Sequence, residues 1–456
     1  MTPHLPPGAY VLVLGLATTG RAVVRRLRGE GETVVVVEEH PAGAGFDDAR
    51  AEATRLGARV VETPGVAHLA ELAGGATLVV PSPGVRDGHP AIQAALDAGV
   101  PVRSEIDVAA SRARAPIVGI TGTNGKTTVT NLAAEMLLAS DVRAAPVGNI
   151  GRPLIDAVDD DVDVLVVELS SFQLRFAPTF APRVAVLLNL ADDHLDWHGT
   201  RAAYEDAKAN VFRHLPDDGL LVFNADDPAV VRLTTGAPGR RVAFTLGDDR
   251  SAYHPARDVL VAADGRALVP VAELPGRAPH DVANALAASA AALDVGATAD
   301  GVAAALRRSA RLPHRVQPVG QHGGVRFYDD SKATNPHATM TAVAGFDSVV
   351  LIAGGRNKGL DLSQLRVLAP RLRGVVAIGE AAGDVEAAFK AATPVVRATS
   401  MHDAVREAYT LARDGDAVLL SPACASFDWY SSYAERGDDF VREVAALGAR
   451  TDGGRA

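Results

Sequence analysis

Residues 119–128 read Gly-Ile-Thr-Gly-Thr-Asn-Gly-Lys-Thr-Thr, between the apolar pair Ile117-Val118 and a helix-like stretch, Val129-Thr-Asn-Leu-Ala-Ala-Glu-Met-Leu-Leu138. A strand, a tight glycine turn and a helix N-terminus in that order aim backbone N–H groups at one point, where an anion gains from the helix dipole. Lys126 adds a full positive charge, and the Thr127 hydroxyl can hold a magnesium ion against phosphates. The spacing departs from the general mononucleotide motif, because Ile120 stands where its first glycine would be. A glycine-rich turn without Lys and Thr could be merely structural. With both present, Gly122, Thr123, Asn124, Gly125, Lys126, Thr127 and Thr128 read as an ATP-binding loop.

The 456 residues suggest about three domains. Hydrophobic residues make up 48% and charged residues 22%, a globular balance without a low-complexity tract. Little disorder is expected outside the ends, where residues 1–7 and 451–456 have turn-like or polar composition. No basic stretch followed by an apolar run opens the chain. Runs such as Val184-Ala-Val-Leu-Leu188 fall far short of the ~20 residues a bilayer needs, so the expectation is a soluble protein without a membrane partner. The one cysteine, Cys424, cannot form an internal disulfide, which fits a reducing cytoplasm and excludes a metal-thiolate cluster. A net charge of −10 gives no global field for nucleic acid. Anionic substrates must be met by local basic residues.

Short apolar runs suited to buried parallel strands recur along the chain, each followed by a glycine or polar turn and an Ala/Leu/Arg-rich helical stretch. This predicts an α/β fold of three successive α/β domains: Rossmann-like at 1–104, P-loop ATPase-type at 105–312, and Rossmann-like at 313–456. The first opens with Tyr10-Val-Leu-Val-Leu-Gly15, Gly20 and Thr33-Val-Val-Val-Val-Glu38. Its fingerprint is too incomplete for a nicotinamide reading. Ala76-Thr-Leu-Val-Val80 ends in Pro81-Ser-Pro-Gly84, another turn at a sheet edge where ligands dock. In the second, apolar strands end at Glu168, Asn189 and Asn224, so Glu168 and Asp192-Asp-His194 are expected near the phosphate loop. No repeat at solenoid periods is present.

Glu168 terminates an apolar strand, where an unpaired carboxylate is costly unless a cation or donors meet it. With Thr127 and His194 it could complete a magnesium shell; a helix-capping or salt-bridging role is the alternative. His194 alone would more often be a packed or surface histidine, but in Leu190-Ala-Asp-Asp-His-Leu-Asp196, beside a phosphate loop, the ligand reading is favoured. Lys208 reads at face value as one more solvated helix lysine. Asp329-Asp-Ser-Lys-Ala-Thr-Asn335 packs two acids, a lysine and polar residues behind the strand-like Val325-Arg-Phe-Tyr328, which favours ligand binding over a plain polar turn. Gly354-Gly-Arg-Asn-Lys358 and Ser421-Pro-Ala-Cys-Ala-Ser-Phe427 occupy equivalent positions, where Lys358 or Ser426 could clamp a carboxylate.

Taken together, Gly122-Thr-Asn-Gly-Lys-Thr, Glu168-Leu-Ser-Ser-Phe-Gln, Asp193-His-Leu-Asp, Leu312-Pro-His-Arg, Asp330-Ser-Lys-Ala-Thr-Asn and Leu420-Ser-Pro-Ala-Cys-Ala-Ser resemble the Mur ligases over nearly the whole chain. Three of these strings are similar to the member that adds D-glutamate to UDP-N-acetylmuramoyl-L-alanine, and the Asp-Asn-Pro-Arg string of the diaminopimelate-adding sibling is not found. The resemblance implies a cytoplasmic, monomeric ligase of peptidoglycan precursor synthesis that uses ATP and two magnesium ions. It implies that Lys126, His194 and Lys208 are catalytic, and that Thr127, Glu168, His194 and Lys208 hold metal, Lys208 as a carbon-dioxide-derived carbamate. Asn284, Arg315 and Asp330 would join the phosphate loop on ATP. Gly15, Thr18, Thr19, Gly84, Asn149 and His194 would meet the uridine-linked substrate, and Lys332, Thr334, Lys358, Ser426 and Tyr433 would form the D-glutamate pocket. Two departures stand out: His280-Asp281-Val-Ala-Asn284 carries an acid where the family has an amide, and Tyr433 replaces a phenylalanine.

Overall fold

The computed structural model describes residues 8–43, 45–310 and 312–451, the side chains of 448–451 excepted. The terminal segments 1–7 and 452–456, read above as turn-like or polar, lie outside the described residues. Residue contacts divide the chain into two compact units. One holds the residues up to Leu190 with Ala202–Leu274 and Ala283–Arg308; the other holds Ala191–Arg201, Pro275–Val282 and the residues from Ser309 onward.

The first unit contains three sheets. Strands β1 (Val11–Leu14), β2 (Val34–Glu38), β3 (Arg59–Glu62) and β4 (Leu78–Pro81) form a parallel sheet in the order 3-2-1-4. Strands β5 (Ile117–Thr121), β6 (Ala144–Gly148), β7 (Val164–Glu168), β8 (Val184–Leu187), β9 (Leu220–Asn224) and β10 (Arg240–Phe244) form a second parallel sheet, in the order 10-9-8-5-7-6. A small antiparallel sheet follows: β11 (His254–Ala256), β12 (Val259–Val261) and β13 (Ala267–Pro270). Helices cover both faces of a parallel sheet, so its inner strands must be apolar on both sides. β5, β7 and β8 are accordingly buried throughout. One continuous apolar cluster runs from Val13 and Leu27 through Ile106 to Leu169 and Phe180, and fuses the two parallel sheets into one unit.

The order of the second sheet positions the site. Strand order reverses at β5, which is flanked by β7 and β8, and ligands of doubly wound sheets bind outside the strand ends at such a switch. Ile120 pairs with Glu168 and Thr121 with Leu187, so the three strands end level with one another.

In the second unit, β14 (Gln317–His322), β15 (Val325–Asp329), β16 (Val349–Gly354), β17 (Leu372–Ile378), β18 (Val395–Arg397) and β19 (Ala417–Ala423) form a sheet in the order 14-15-19-16-17-18, parallel except for β14. β15, β19 and β16 are adjacent, and their carboxyl ends open into the three polar loops singled out from sequence. The α/β class expected from the apolar runs is the observed one. Among the described residues, no helix is long and apolar enough to cross a membrane.

Candidate active site

The phosphate loop is built as its sequence dictates. Gly125 precedes helix Lys126–Leu138 at φ 87°, a left-handed conformation that glycine adopts without cost. A Cβ there would lie 2.5 Å from the Asn284 side-chain oxygen, so Asn284 stands against the loop. The first helical N–H groups have no acceptor within the helix and face the loop, where an anion can take them.

Asn189, just beyond β8, locks the loop from below. The backbone N–H of Thr123 donates to its carbonyl at 2.9 Å, the Asn124 N–H donates to its Oδ1 at 2.8 Å, and its Nδ2 donates back to the Asn124 carbonyl at 3.0 Å. Motif reading does not single out Asn189; the signal available was a polar residue ending an apolar strand.

Two ammonium groups converge on one carbonyl. Lys126 Nζ donates to the carbonyls of Gly122 and Thr123 at 3.0 and 2.8 Å. Lys208 Nζ donates to the Gly122 carbonyl at 2.7 Å and to the Thr121 hydroxyl at 3.3 Å. Lys208 is 1% exposed, so its face-value reading as a solvated helix lysine does not hold. Its ammonium lies 4.8 Å from the ring centroid of Tyr204, whose hydroxyl pairs with Thr123 Oγ1 at 2.9 Å.

Glu168 ends β7 at 3% exposure. Its Oε1 accepts from Asn149 Nδ2 at 2.8 Å, and the Asn149 N–H donates to the Glu168 carbonyl at 2.9 Å. Its Oε2 is buried without a hydrogen-bond partner. An unmet buried acceptor costs about 1–3 kcal/mol, more when charged, and a hard cation removes that penalty. The chain after Glu168 is fixed by a capping box, in which Ser170 Oγ accepts from the Gln173 N–H at 3.2 Å while Gln173 Oε1 accepts from the Ser170 N–H at 3.0 Å. Thr127 is the second residue of the loop helix, with its carbonyl accepting from Asn131 at 2.8 Å. Among the described residues, no three His, Cys, Asp or Glu side chains gather as a metal cluster.

Gly15, Thr18, Thr19 and Gly84 form a second group at the ends of β1 and β4. Gly15 has φ 89°, and a Cβ there would meet Ser82 Oγ at 2.8 Å. Thr18 and Thr19 open helix Thr18–Gly29. Glu38, at the end of β2, accepts from the Leu16 N–H at 2.8 Å and from the His40 N–H at 2.9 Å, fixing this turn. An acid about 20 residues beyond the first turn of such a unit was the sequence signal for it.

In the second unit, the segments after β15, β19 and β16 carry all five residues expected for the amino-acid pocket, Tyr433 as the first residue of helix Tyr433–Thr451. Lys332 Nζ sits 3.9 Å from the Tyr433 ring centroid, and the Tyr433 carbonyl accepts from Ser331 Oγ at 2.8 Å. Thr334 is half-buried, and Ser426 is buried, its carbonyl accepting from the Trp429 and Tyr430 N–H groups. Arg436, which motif reading passed over, ties two of these loops together by donating to the carbonyls of Ser331 and Cys424 at 2.8 and 3.1 Å. Burial pushes the Asp330 carboxyl up to about 7, against the Ser421 hydroxyl and the charge of Arg315. The departure at Asp281 has a local role, since its carboxylate accepts from the Ala278 N–H at 3.2 Å at the start of helix Pro279–Asp294.

Lys358 and His194 meet at Asp193. Lys358 Nζ donates to Asp193 Oδ1 at 2.6 Å, and Asp193 Oδ2 accepts from Asn335 Nδ2 at 3.0 Å. Burial raises the Asp193 carboxyl, but the charges of Lys358 and His194 and the hydrogen bonds outweigh it and hold the group below its usual value. His194 itself has φ 54°, a strained conformation for a non-glycine residue of the kind found at functional sites.

Family models match three stretches: the Mur ligase MurD-like N-terminal domain at residues 9–104, the Mur ligase middle domain at 120–292, and the Mur ligase glutamate ligase domain at 314–424. The chain belongs to the Mur ligase family. Full-length Mur ligase relatives agree. A UDP-N-acetylmuramoylalanine--D-glutamate ligase from Frankia casuarinae is 43% identical over 454 residues, covering 96% of this chain and 94% of the relative. Proteins of the same name from Desulfosudis oleivorans and Thermobifida fusca are 39% and 40% identical, with 98% and 96% of this chain covered. Among solved structures, MurF from Acinetobacter baumannii aligns with TM-score 0.62 at 16% identity over 94% of this chain. The UDP-N-acetylmuramate-alanine ligase MurC from Thermotoga maritima aligns with TM-score 0.58 at 19% identity over 96%. These two structures bear on the fold alone, and the fold is the three-domain Mur ligase architecture.

Proposed function

We propose that this Mur ligase joins D-glutamate to UDP-N-acetylmuramoyl-L-alanine, coupled to cleavage of ATP to ADP and phosphate, in cytoplasmic synthesis of the peptidoglycan precursor. The observation that carries the chemistry is the buried Glu168 carboxylate with one oxygen unmet, at the strand beside a lysine-bearing phosphate loop. The names of the relatives supply the amino acid and the acceptor. Domain boundaries at 104 and 312 belong to the same reading, supported by the matched stretches 9–104 and 314–424. A monomer belongs to the same reading.

In this reading the loop N–H groups and Lys126 bind the ATP phosphates, with Asn284, Arg315 and Asp330 on the nucleoside side. Gly15, Thr18, Thr19, Gly84, Asn149 and His194 hold the uridine-linked substrate. Thr127, Glu168, His194 and a carbamylated Lys208 would hold two magnesium ions, which supply neutralisation of phosphate charge. The alanyl carboxylate attacks the γ-phosphorus and ADP leaves. The amine of D-glutamate, held by Lys332, Thr334, Lys358, Ser426 and Tyr433, attacks the acyl carbonyl; the tetrahedral adduct expels phosphate and gives up the amine proton. No protein nucleophile is required, so the side chains act by positioning and by stabilising charge. A carbamate on Lys208 would turn the cation at the Gly122 carbonyl into an anion.

Trapping tests the acyl phosphate directly. With ATP, magnesium, the uridine-linked substrate and hydroxylamine but no D-glutamate, the protein should yield the alanyl hydroxamate. ADP formation without hydroxamate would contradict the mechanism.

A further inference from the structure

Asp193 is 4% exposed and sits at the centre of a cluster that the phosphate chemistry does not explain. Its Oδ1 accepts from Lys358 Nζ at 2.6 Å and from the His194 N–H at 2.9 Å. Its Oδ2 accepts from Asn335 Nδ2 at 3.0 Å and lies 3.6 Å from His194 Nε2. One carboxylate thus joins the loop after β16, which carries Lys358, to the loop after β15, which ends at Asn335. It joins both to the main chain of His194. Asn335 is anchored in turn, its Oδ1 accepting from the Ala338 N–H at 2.9 Å as the cap of helix Pro336–Val343.

A lysine on a four-carbon stem is a poor pre-ordered ligand, because much of its rotamer freedom must be lost on binding. An ammonium has three N–H donors, and a carboxylate that takes one of them fixes the directions of the other two. We propose that Asp193 is a positioning residue for the ligation: it holds Lys358 in the orientation that receives a carboxylate of the incoming amino acid, and shares a fixed frame with the His194 main chain. This rests on the reading that Lys358 meets D-glutamate. The substitution that isolates it is Asp193→Asn, which keeps the shape and an acceptor for the His194 N–H but removes the charge facing Lys358.

The test is a kinetic cycle of wild type, Asp193→Asn, Lys358→Met and the double variant, each with all three substrates varied. Asp193→Asn raises KM for D-glutamate about tenfold, with KM for ATP and the uridine-linked substrate within about twofold, and the double variant is no worse than Lys358→Met alone. Asn335→Ser keeps the helix cap, removes the donor to Asp193, and raises the same KM by a smaller factor. An unchanged or lowered KM in Asp193→Asn, or effects that add in the double variant, overturns the proposal. A substrate-free readout separates it from the functional reading. On brief treatment with acetic anhydride, peptide mass spectrometry should find Lys358 acetylated several-fold faster in Asp193→Asn than in wild type, and equal rates overturn the positioning role. Faster labelling in Asp193→Asn, together with a wild-type enzyme that ignores D-glutamate, contradicts the substrate assignment alone.

Discussion

The ammonium of Lys208 lies 2.7 Å from the carbonyl oxygen of Gly122, which binds a residue of helix Arg201–Ala209 into the phosphate loop 86 positions earlier in the chain. The same carbonyl accepts from Lys126. Loop geometry and the Lys208 side chain are therefore coupled, and a change at either is felt by the other.

Replacing Lys208 with alanine should lower kcat/KM for the ligation by at least about 100-fold, as expected when a group at the reacting charge is lost. If the working form is the carbamate, acetate or propionate restores part of the activity to Lys208→Ala. No restoration at any carboxylate concentration would leave Lys208 as a support of the loop and remove the carbamate from the account.

Glu168→Gln keeps the acceptor used by Asn149 and removes the charge on the unmet oxygen. The magnesium concentration for half-maximal activity should rise about tenfold or more, while thermal stability stays level or increases because a buried charge is gone. An unchanged magnesium requirement would exclude Glu168 as a ligand.

Gly125→Ala forces a left-handed conformation on a residue with a Cβ, at a cost of about 1–2 kcal/mol, and drives that Cβ against Asn284. ATP affinity measured by calorimetry should fall below detection at micromolar protein, with a lowered melting temperature. Wild-type affinity would mean that the loop relaxes freely and is not pre-formed.

Glu105 gives a pH signature remote from catalysis. It is buried, its Oε1 accepts from the Ile155 N–H at 2.7 Å, its Oε2 has no partner, and burial pushes its carboxyl up to about 7 from 4.5. The folded protein keeps this proton where the unfolded chain releases it. The contribution to stability is therefore complete below about pH 4.5 and lost as pH rises through about 7, amounting to roughly 3 kcal/mol. Glu105→Gln cannot titrate, so its denaturation midpoint should gain on wild type between pH 5 and pH 8. Parallel curves would contradict a neutral buried Glu105.

Legibility followed local periodicity. The strands of the parallel sheets that stand as unbroken apolar runs, such as β2, β7, β8 and β16, are readable because both faces are buried. β6, Ala-Ala-Pro-Val-Gly, and the three-residue strands β11 and β18 carry no such run and take their form from pairing with neighbours. The phosphate loop was legible because its glycines and charges are contiguous. Lys208, Asn189, Asp193 and Arg436 were not: each acts through partners distant in sequence, and a lone lysine or aspartate carries no sign of burial. For Lys208 the family resemblance supplied what residue patterns could not.

The most direct measurement is phosphate release by the purified protein with magnesium, ATP and UDP-N-acetylmuramoyl-L-alanine, comparing D-glutamate with L-glutamate, L-lysine and meso-diaminopimelate. The account predicts release with D-glutamate alone, and a product heavier by one glutamyl residue. Release driven by another amino acid, or by none of the four, would contradict it.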